Sequence, residues 1–442
     1  MSKDIFLNTR VPRLFVRAAI PGGISMLASS LYIIFESVFV GKFVGTTAFA
    51  ALGIALPVMI MNFALSELIG VGSSVPIAIF LGEGKDKKAN EYFTGAILLT
   101  VLTGALSGAV IYAFSPLFMS LMGADGELLG YGVDYLRTYA VFSPITTLMF
   151  SLDNYLRISG KTKTSMILNI MFSVITILLE VVFILLLKWG VVGAAFASSI
   201  AMIICVAFAF SMFVTQKLQL KFTKPRFSRE MIRQILRNGI TPFLTNISGR
   251  LFSIIMNVFL LRFGGEAAVA VYTVVLTVTC MFEQPMYGVV DSLQPAVGYN
   301  YGAGRHDRVI ALERYVFGVA AAISLLGTLS MLIFPGTLSK PFLDDASLLP
   351  LSIFATQITS VTYLFRWLSM CIQCFFMALE KPKRAIAISV ASAFAFPLIS
   401  IFAFLPLELT GLWWNLPVST LLTAVLALVI LLLSRKGLFV KD

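Results

Sequence analysis

Apolar runs of about 18 residues or more recur from one end of this chain to the other, and runs of that length read as helices that cross a membrane. That pattern removes most folds at once. Hydrocarbon offers no partner for backbone N–H and C=O groups, so only helices or closed barrels span it, and long unbroken runs select helices. Composition agrees: 58% of residues are hydrophobic and 12% charged, with a mean hydropathy of +0.93, against about 25% charged residues in soluble domains. The expectation is an all-α polytopic membrane protein with no room for a soluble domain. No cleavable signal peptide is expected, because a polar MSKDIFLNTRVPR leads into a long apolar run with more to follow.

Turn signals and charges divide the chain into twelve expected spans, at 14–43, 48–81, 91–119, 130–157, 163–187, 190–216, 232–262, 267–301, 308–334, 347–378, 384–406 and 410–434. Several exceed the crossing length. Tilt, extension beyond the bilayer, or kinks at Pro21, Pro57, Pro242 and Pro295 would absorb the excess. Basic residues cluster in alternate connections. They include Lys3, Arg10 and Arg13; Lys85, Lys87 and Lys88; Lys161 and Lys163; the stretch from Lys217 to Arg237; Arg305 and Arg308; Lys381, Lys383 and Arg384; and the C-terminal Arg435, Lys436 and Lys441. The other connections hold single basic residues: Lys42, Lys188, Arg262 and Lys340. Positive-inside bias then places both termini in the cytoplasm. The same bias accounts for the net charge of +11 without a nucleic-acid partner. Trp413 and Trp414 fall at the outer end of the last span, where an aromatic belt is expected.

The chain also repeats itself at an offset of about 220 residues, the kind of periodicity to be sought before any fold is assigned. Pro21 meets Pro242. TTAFAALGIAL from Thr46 meets EAAVAVYTVVL from Glu266. FLGEGKDK from Phe80 meets NYGAGRHD from Asn300, with Gly82 and Gly84 on Gly302 and Gly304, and SGKTKTSMI from Ser159 meets LEKPKRAIA from Leu379. The matches fall in connections and share one offset, so they are not chance likeness between apolar helices. Each repeat holds an even number of spans, so the copies are parallel. The expected architecture is two pseudo-symmetric six-helix lobes around a central cleft, residues 1–215 and 239–442, joined by a cytoplasmic basic linker at 216–238.

Charge inside such spans is costly and marks function. Glu36 stands in IFESVFVGKFVG, an acid within an apolar run, and the alternative to a functional role is a hydrated vestibule or a basic partner. Other acids within expected spans include Glu67, Asp134, Asp153, Glu180, Glu283 and Asp291, of which Asp134 and Asp153 lie toward span ends and read as interfacial. Counting from the outer ends of their spans, Glu36, Glu180 and Ser198 all lie roughly 11 Å deep at 1.5 Å per residue. Thr176 is one helical turn from Glu180 on the same face. Two carboxylates and two hydroxyls at one depth form a candidate cation- or proton-coupling set. Two such acids close together in low dielectric cannot easily both ionise. An oxygen-rich set also suits sodium, so Na⁺ at Glu36 and Glu180 is the alternative ion. The second half holds Arg250 and Arg366 with Glu283 and Asp291, expected as internal ion pairs or as the lining of a substrate cavity, to which Glu67 could add. Cys371 and Cys374 form a CxxC inside an apolar helical run, and the sole histidine, His306, lies in a connection, so no metal site is expected.

At this point the residues resemble the multidrug and toxic compound extrusion (MATE) family along essentially the whole chain. IIFESVFVGKFVGTTAFAALGI is similar to the family's aspartate-bearing first-span segment, with Glu36 on the aspartate. ITILLEVVFI from Ile175 resembles the fifth-span motif, with Glu180 on a second aspartate and Thr176 on an asparagine. GAAFAS from Gly193 places Ser198 on the family threonine, and LQPAVGYNYGAG from Leu293 is also similar. The resemblance implies a cation-coupled antiporter that exports amphiphilic, often cationic, organic compounds. It implies no cofactor, a small organic substrate, the bilayer as environment, and a monomer in the plasma membrane, a bacterial inner membrane in particular. Three departures stand out: both aspartates are glutamates, the asparagine is Thr176, and Arg250 stands near where some branches carry an acid. The lost asparagine carbonyl, a good sodium ligand, favours the proton as coupling ion.

Rival classes fare worse. In SGKTKTS the first glycine of a phosphate-cradling GxxxxGK[ST] would fall at Tyr155, so an ATP-driven pump lacks its loop. An intramembrane enzyme lacks HExxH or a serine–histidine arrangement. A major-facilitator transporter lacks its characteristic loop after the second span. The nearer alternative is a flippase of the wider superfamily, moving a lipid-linked or amphipathic glycan.

Overall fold

A computed structural model gives the structure of the chain. It describes residues 2–215, 218–343 and 346–439, with backbone alone at 2–4, 33, 34, 36–38, 41, 46, 49 and 436. The described residues hold helices and no strand. In chain order they are α1 (Ser2–Asn8), α2 (Val11–Phe43), α3 (Thr46–Gly82), α4 (Asp86–Leu121), α5 (Gly126–Thr146), α6 (Leu148–Ile158), α7 (Thr162–Glu180) and α8 (Gly190–Val214). The second half follows with α9 (Arg229–Asp291), α10 (Gln294–Gly302), α11 (His306–Ile333), α12 (Pro335–Ser339), α13 (Leu349–Ala378), α14 (Pro382–Val390), α15 (Phe396–Phe404) and α16 (Glu408–Ser434). A π-helical turn, Val181–Leu186, extends α7, and another, Ala391–Ala395, joins α14 to α15.

These elements make twelve transmembrane helices in two six-helix lobes. Among the described residues, nine segments are long and apolar enough to cross on composition alone. Two of them, Arg229–Gly302 and Pro382–Ser434, hold two spans each. The pair α5 and α6 supplies the remaining span. It is not apolar enough to pass on composition, and it is interrupted at Thr147, three residues after Pro144, a break the single expected span 130–157 does not contain. α2, at 33 residues, is about 50 Å long at 1.5 Å per residue, well beyond a hydrocarbon core of about 30 Å. Leu102, Leu106 and Leu433 stay largely exposed, as side chains that face lipid do.

The repeat is visible in the backbone. Gly45, between the first two spans, has φ 125° and ψ 165°. Gly265, its match in the second half, has φ 65° and ψ −164°. Both conformations are open essentially to glycine alone, and at Gly265 the chain reverses inside α9. The matched pair Gly82 and Gly302 marks a second symmetry. A Cβ on Gly82 would lie 2.3 Å from the Tyr299 carbonyl oxygen, and one on Gly302 would lie 2.2 Å from that of Ile79. Ile79 and Tyr299 are themselves matched by the repeat, so the two contacts are reciprocal.

The chain forms two compact units, Met1–Thr9 with Ile24–Phe243 and Gly298–Gly304, and Arg10–Gly23 with Leu244–Val297 and Arg305–Asp442. Each has its own apolar core. In the first, Phe39, Leu52, Met59, Tyr139, Ile184 and Ala194 are buried together. In the second, Phe252, Met256, Tyr272, Ile401, Leu412 and Trp413 are. Trp413 is thus a core residue, 2% exposed, with its ring 6.4 Å from that of Tyr272, and only Trp414 keeps the exposure expected of a belt residue. The basic stretch between the halves is tied down. The Lys221 N–H donates to Asn90 at 2.9 Å and the Thr223 N–H to Thr94 at 3.1 Å, and residues from Arg229 onward are already helical.

Candidate functional site

Glu180 is the last residue of α7 before the π-helical turn, and it is fully buried. π-bulges inside helices recur at functional sites, because the wider turn shifts which side chains share a face. Thr176, one turn earlier, is also fully buried, and its hydroxyl donates to the Phe172 carbonyl at 2.7 Å. On α8, Ser198 is 7% exposed, and its hydroxyl lies 3.2 Å from the carbonyls of both Ala194 and Ala195. Both hydroxyl protons are therefore committed to helix carbonyls. The lone pairs remain, so each group is an acceptor for a bound cation or a protonated acid.

Two contacts set the register of α7 against α8. The Cys205 thiol lies 3.6 Å from the Leu168 carbonyl, and a Cβ on Gly193 would lie 3.1 Å from Cβ of Phe183. Between these antiparallel anchors, Ser198 comes level with Thr176. α2 is fixed against α7 by Ser173, whose hydroxyl reaches the Ala28 carbonyl at 3.5 Å, and by Tyr32, edge-on to Phe172 with centroids 5.2 Å apart. Position 36 follows Tyr32 by one turn as Thr176 follows Phe172. The side chain of Glu36 lies outside the described residues. Around this level the partners are apolar: Phe35, Phe39, Val181, Ile184, Ala194 and Ala195 share one cluster.

The second-half charges are arranged differently. Arg366 donates from Nε at 3.1 Å and from a terminal nitrogen at 2.5 Å to the same oxygen of Glu283, and each side chain keeps about a third of its exposure, 33% and 29%. Tyr363, one turn before Arg366, donates to the Thr279 carbonyl at 2.7 Å and ties the two helices together beside the pair. Arg250 stands apart from this ion pair: it is exposed and makes no salt bridge among the described residues. Asp291 accepts from Gln294 at 2.8 Å rather than from either arginine. Glu67 is half-buried on α3, one turn after Phe63, whose ring meets those of Tyr139 and Phe150. The candidate residues thus comprise 176, 180 and 198 on facing stretches of α7 and α8, the Glu283–Arg366 pair, and Glu67, Arg250 and Asp291, which belong to neither group.

Three features escape the sequence reading. Asp153, expected at the interface, is buried and pairs with Arg157 at 2.7 Å, while Ser165 and Asn169 donate to its other oxygen at 2.5 and 3.0 Å. The four-residue spacing of Asp153 and Arg157 was the available signal. Asn62 joins Tyr139, Ser143 and Ser107 in a buried polar cluster that links the second, third and fourth spans. Glu313, on α11, carries an oxygen sealed from solvent without a hydrogen-bond partner. Among the described residues no group of three or more His, Cys, Asp or Glu side chains could hold a metal ion.

Comparison with known proteins adds to this geometry. The model of the MatE family matches residues 21–182 and 243–402, once in each repeat. The chain is 24% identical to the multidrug export protein MepA of Staphylococcus haemolyticus, and the alignment covers 98% of this chain and 96% of the relative. It is 25% identical, with the same coverage, to MepA of Staphylococcus aureus strain N315. Among solved structures, an outward-facing multidrug resistance MATE transporter of the MOP superfamily superposes with a TM-score of 0.92 at 23% identity, covering 98% of this chain and 97% of that one. A MOP superfamily transporter from Pyrococcus furiosus, described as having a binding pocket of reversed polarity that suggests a different function, gives 0.93 at 22% identity, covering 100% and 99%.

Proposed function

The chain belongs to the MatE family, and from that premise we propose that it is a secondary active antiporter that exports amphiphilic, cationic organic compounds in exchange for protons or, as the alternative, sodium. Members of the family are transporters, not enzymes, and need no cofactor. Drug-like compounds are proposed because the relatives are multidrug export proteins.

One observation carries the reading: the fully buried Glu180, with Thr176 one turn away and Ser198 level with Thr176, beside the stretch of α2 that bears Glu36. In this reading Glu36 and Glu180 form the coupling site, and the two hydroxyls support it. Protonation neutralises the site and lets the first lobe repack, which biases the balance between outward- and inward-open states. Substrate biases it the other way. The proton is preferred because the hydroxyl lone pairs suit a protonated Glu180 and the family's asparagine carbonyl is absent at Thr176. The lobes comprise residues 1–215 and 239–442, with the basic linker 216–238 and both termini in the cytoplasm. The chain acts as a monomer in the plasma membrane, a bacterial inner membrane in particular.

The test is transport of a cationic dye into proteoliposomes under separately imposed proton and sodium gradients. Movement driven by the proton gradient is expected, movement driven by sodium alone reassigns the ion, and movement driven by neither overturns antiport. For orientation, a cysteine at Asp125 should react with an impermeant label on intact cells and one at Lys87 should not; the reverse pattern overturns it.

A second reading of the substrate, as a zwitterion, is favoured by Arg250. With Arg366 held by Glu283, the exposed Arg250 is an arginine within an expected span that forms no salt bridge among the described residues. Arg250→Gln should then weaken transport of a zwitterionic fluorophore and leave a purely cationic dye unaffected.

A further inference from the structure

Glu313 has no part in the reading above, and its surroundings are unusual for an acid. It lies seven residues into α11, which begins at His306, and so about 10 Å along the helix from that end. Its Oε2 is sealed from solvent and has no hydrogen-bond partner. The side chain as a whole is only partly buried, so the carboxyl group is not cut off from its surroundings. Val309, Leu312 and Val316, on the same helix, are buried. On α13, Cys371 and Cys374 lie within electrostatic reach of Glu313, and Cys374 also within reach of Asp291 at the end of α9. The charged groups on or beside its own helix are Arg305, His306, Asp307, Arg308 and Arg314. Within a turn of Phe15 on α2, whose ring meets Tyr315 of α11, the charged groups are Arg13 and Arg17, both exposed. None of these basic groups forms a salt bridge with Glu313 among the described residues.

A carboxylate placed there would bury a charged oxygen with no donor, which is costly, whereas a carboxylic acid buries no charge. The neighbours that could help are thiols, which are weak donors. We propose that Glu313 is a second proton-binding site, carried by α11, that holds its proton without a basic partner and does so independently of the acids in the first half. Loading and unloading it adds a proton step to the cycle of the second lobe. The partly open side of the carboxyl group is the path for that proton, and Cys371 and Cys374 sense the change.

The test is difference infrared spectroscopy of the purified full-length protein, titrated from alkaline to acidic buffer. The wild type should show the carbonyl stretch of a protonated carboxylic acid at neutral pH, and its thiol S–H stretch should shift as that band titrates. Glu313→Gln should lose one carbonyl band, and Glu180→Gln should keep it, whatever Glu180→Gln does to transport. That control separates failure of this site from failure of the first-half coupling site. The S–H shift in wild-type protein needs no variant; it should vanish in Cys371→Ser/Cys374→Ser. An unchanged carbonyl region in Glu313→Gln, or S–H bands that ignore pH in the wild type, overturns the proposal.

Discussion

Glu180 and Glu283 are both acids set in long apolar helices, and the protein treats them in opposite ways. Glu283 is held by two N–H groups of Arg366 and keeps about a third of its exposure, 29%. Glu180 is fully buried, one turn after Thr176, whose hydroxyl proton is committed to the Phe172 carbonyl. A carboxylate whose oxygen already accepts two guanidinium N–H groups is a poor place to exchange ions. In the function proposed above, the buried Glu180 is the acid that gains and loses the coupling ion as the protein moves. Position along the sequence does not distinguish the two; burial does.

The sharpest way to break this contrast is to neutralise each acid in turn. Glu180→Gln should reduce gradient-driven dye efflux to background in well-expressed protein, and Glu36→Gln should do the same, whereas Glu283→Gln should retain measurable efflux. Equal loss in all three would erase the distinction. The next effect is on stability. Arg366→Gln strips a charged partner from Glu283 and should cost about 2 kcal/mol in thermal unfolding in detergent. The double variant Glu283→Gln/Arg366→Gln should recover much of that cost, because no lone charge remains. Losses that simply add would mean that the two side chains do not act as a pair. The smallest effect concerns the hydroxyls. Thr176→Ala removes one acceptor, worth about 1 kcal/mol or roughly a fivefold loss of coupling-ion affinity. Ser198→Ala should behave likewise, and neither should approach the loss in Glu180→Gln.

Much of this was legible before any coordinates. Depth counted from span ends brought Glu180, Thr176 and Ser198 to one level, and the contacts of α7 with α8 place Ser198 beside Thr176. Regular helix rise makes such counting sound. For the second-half charges, the cost of a lone charge in hydrocarbon left ion pairs and a cavity lining both open; Arg366 pairs with Glu283, and Arg250 forms no salt bridge among the described residues. Three other features were not readable. The break at Thr147 depends on how α5 and α6 pack, and hydropathy carries no trace of it. Trp413 belongs to the core because Tyr272 and Ile401 surround it, a fact that position at a span end cannot convey. Glu313 falls inside the expected span 308–334 without any sequence signal of its own, and the sealing of its Oε2 depends on how neighbouring helices pack. Burial is a property of the face, which neighbours in sequence do not share.

The reciprocal contacts of Gly82 with Tyr299 and of Gly302 with Ile79 have a consequence for ancestry. Each half of the chain supplies one glycine and one carbonyl, so each half carries both members of the contact it makes. That is the self-complementarity of a two-fold dimer interface, in which one patch binds its own copy. A single six-helix half, made twice, would already possess this contact without any new residue, and fusion of two copies would preserve it. Once fused, the two glycines can be altered separately. A change at one position spoils one contact and leaves its twin intact, a freedom that an unfused pair of identical subunits never has.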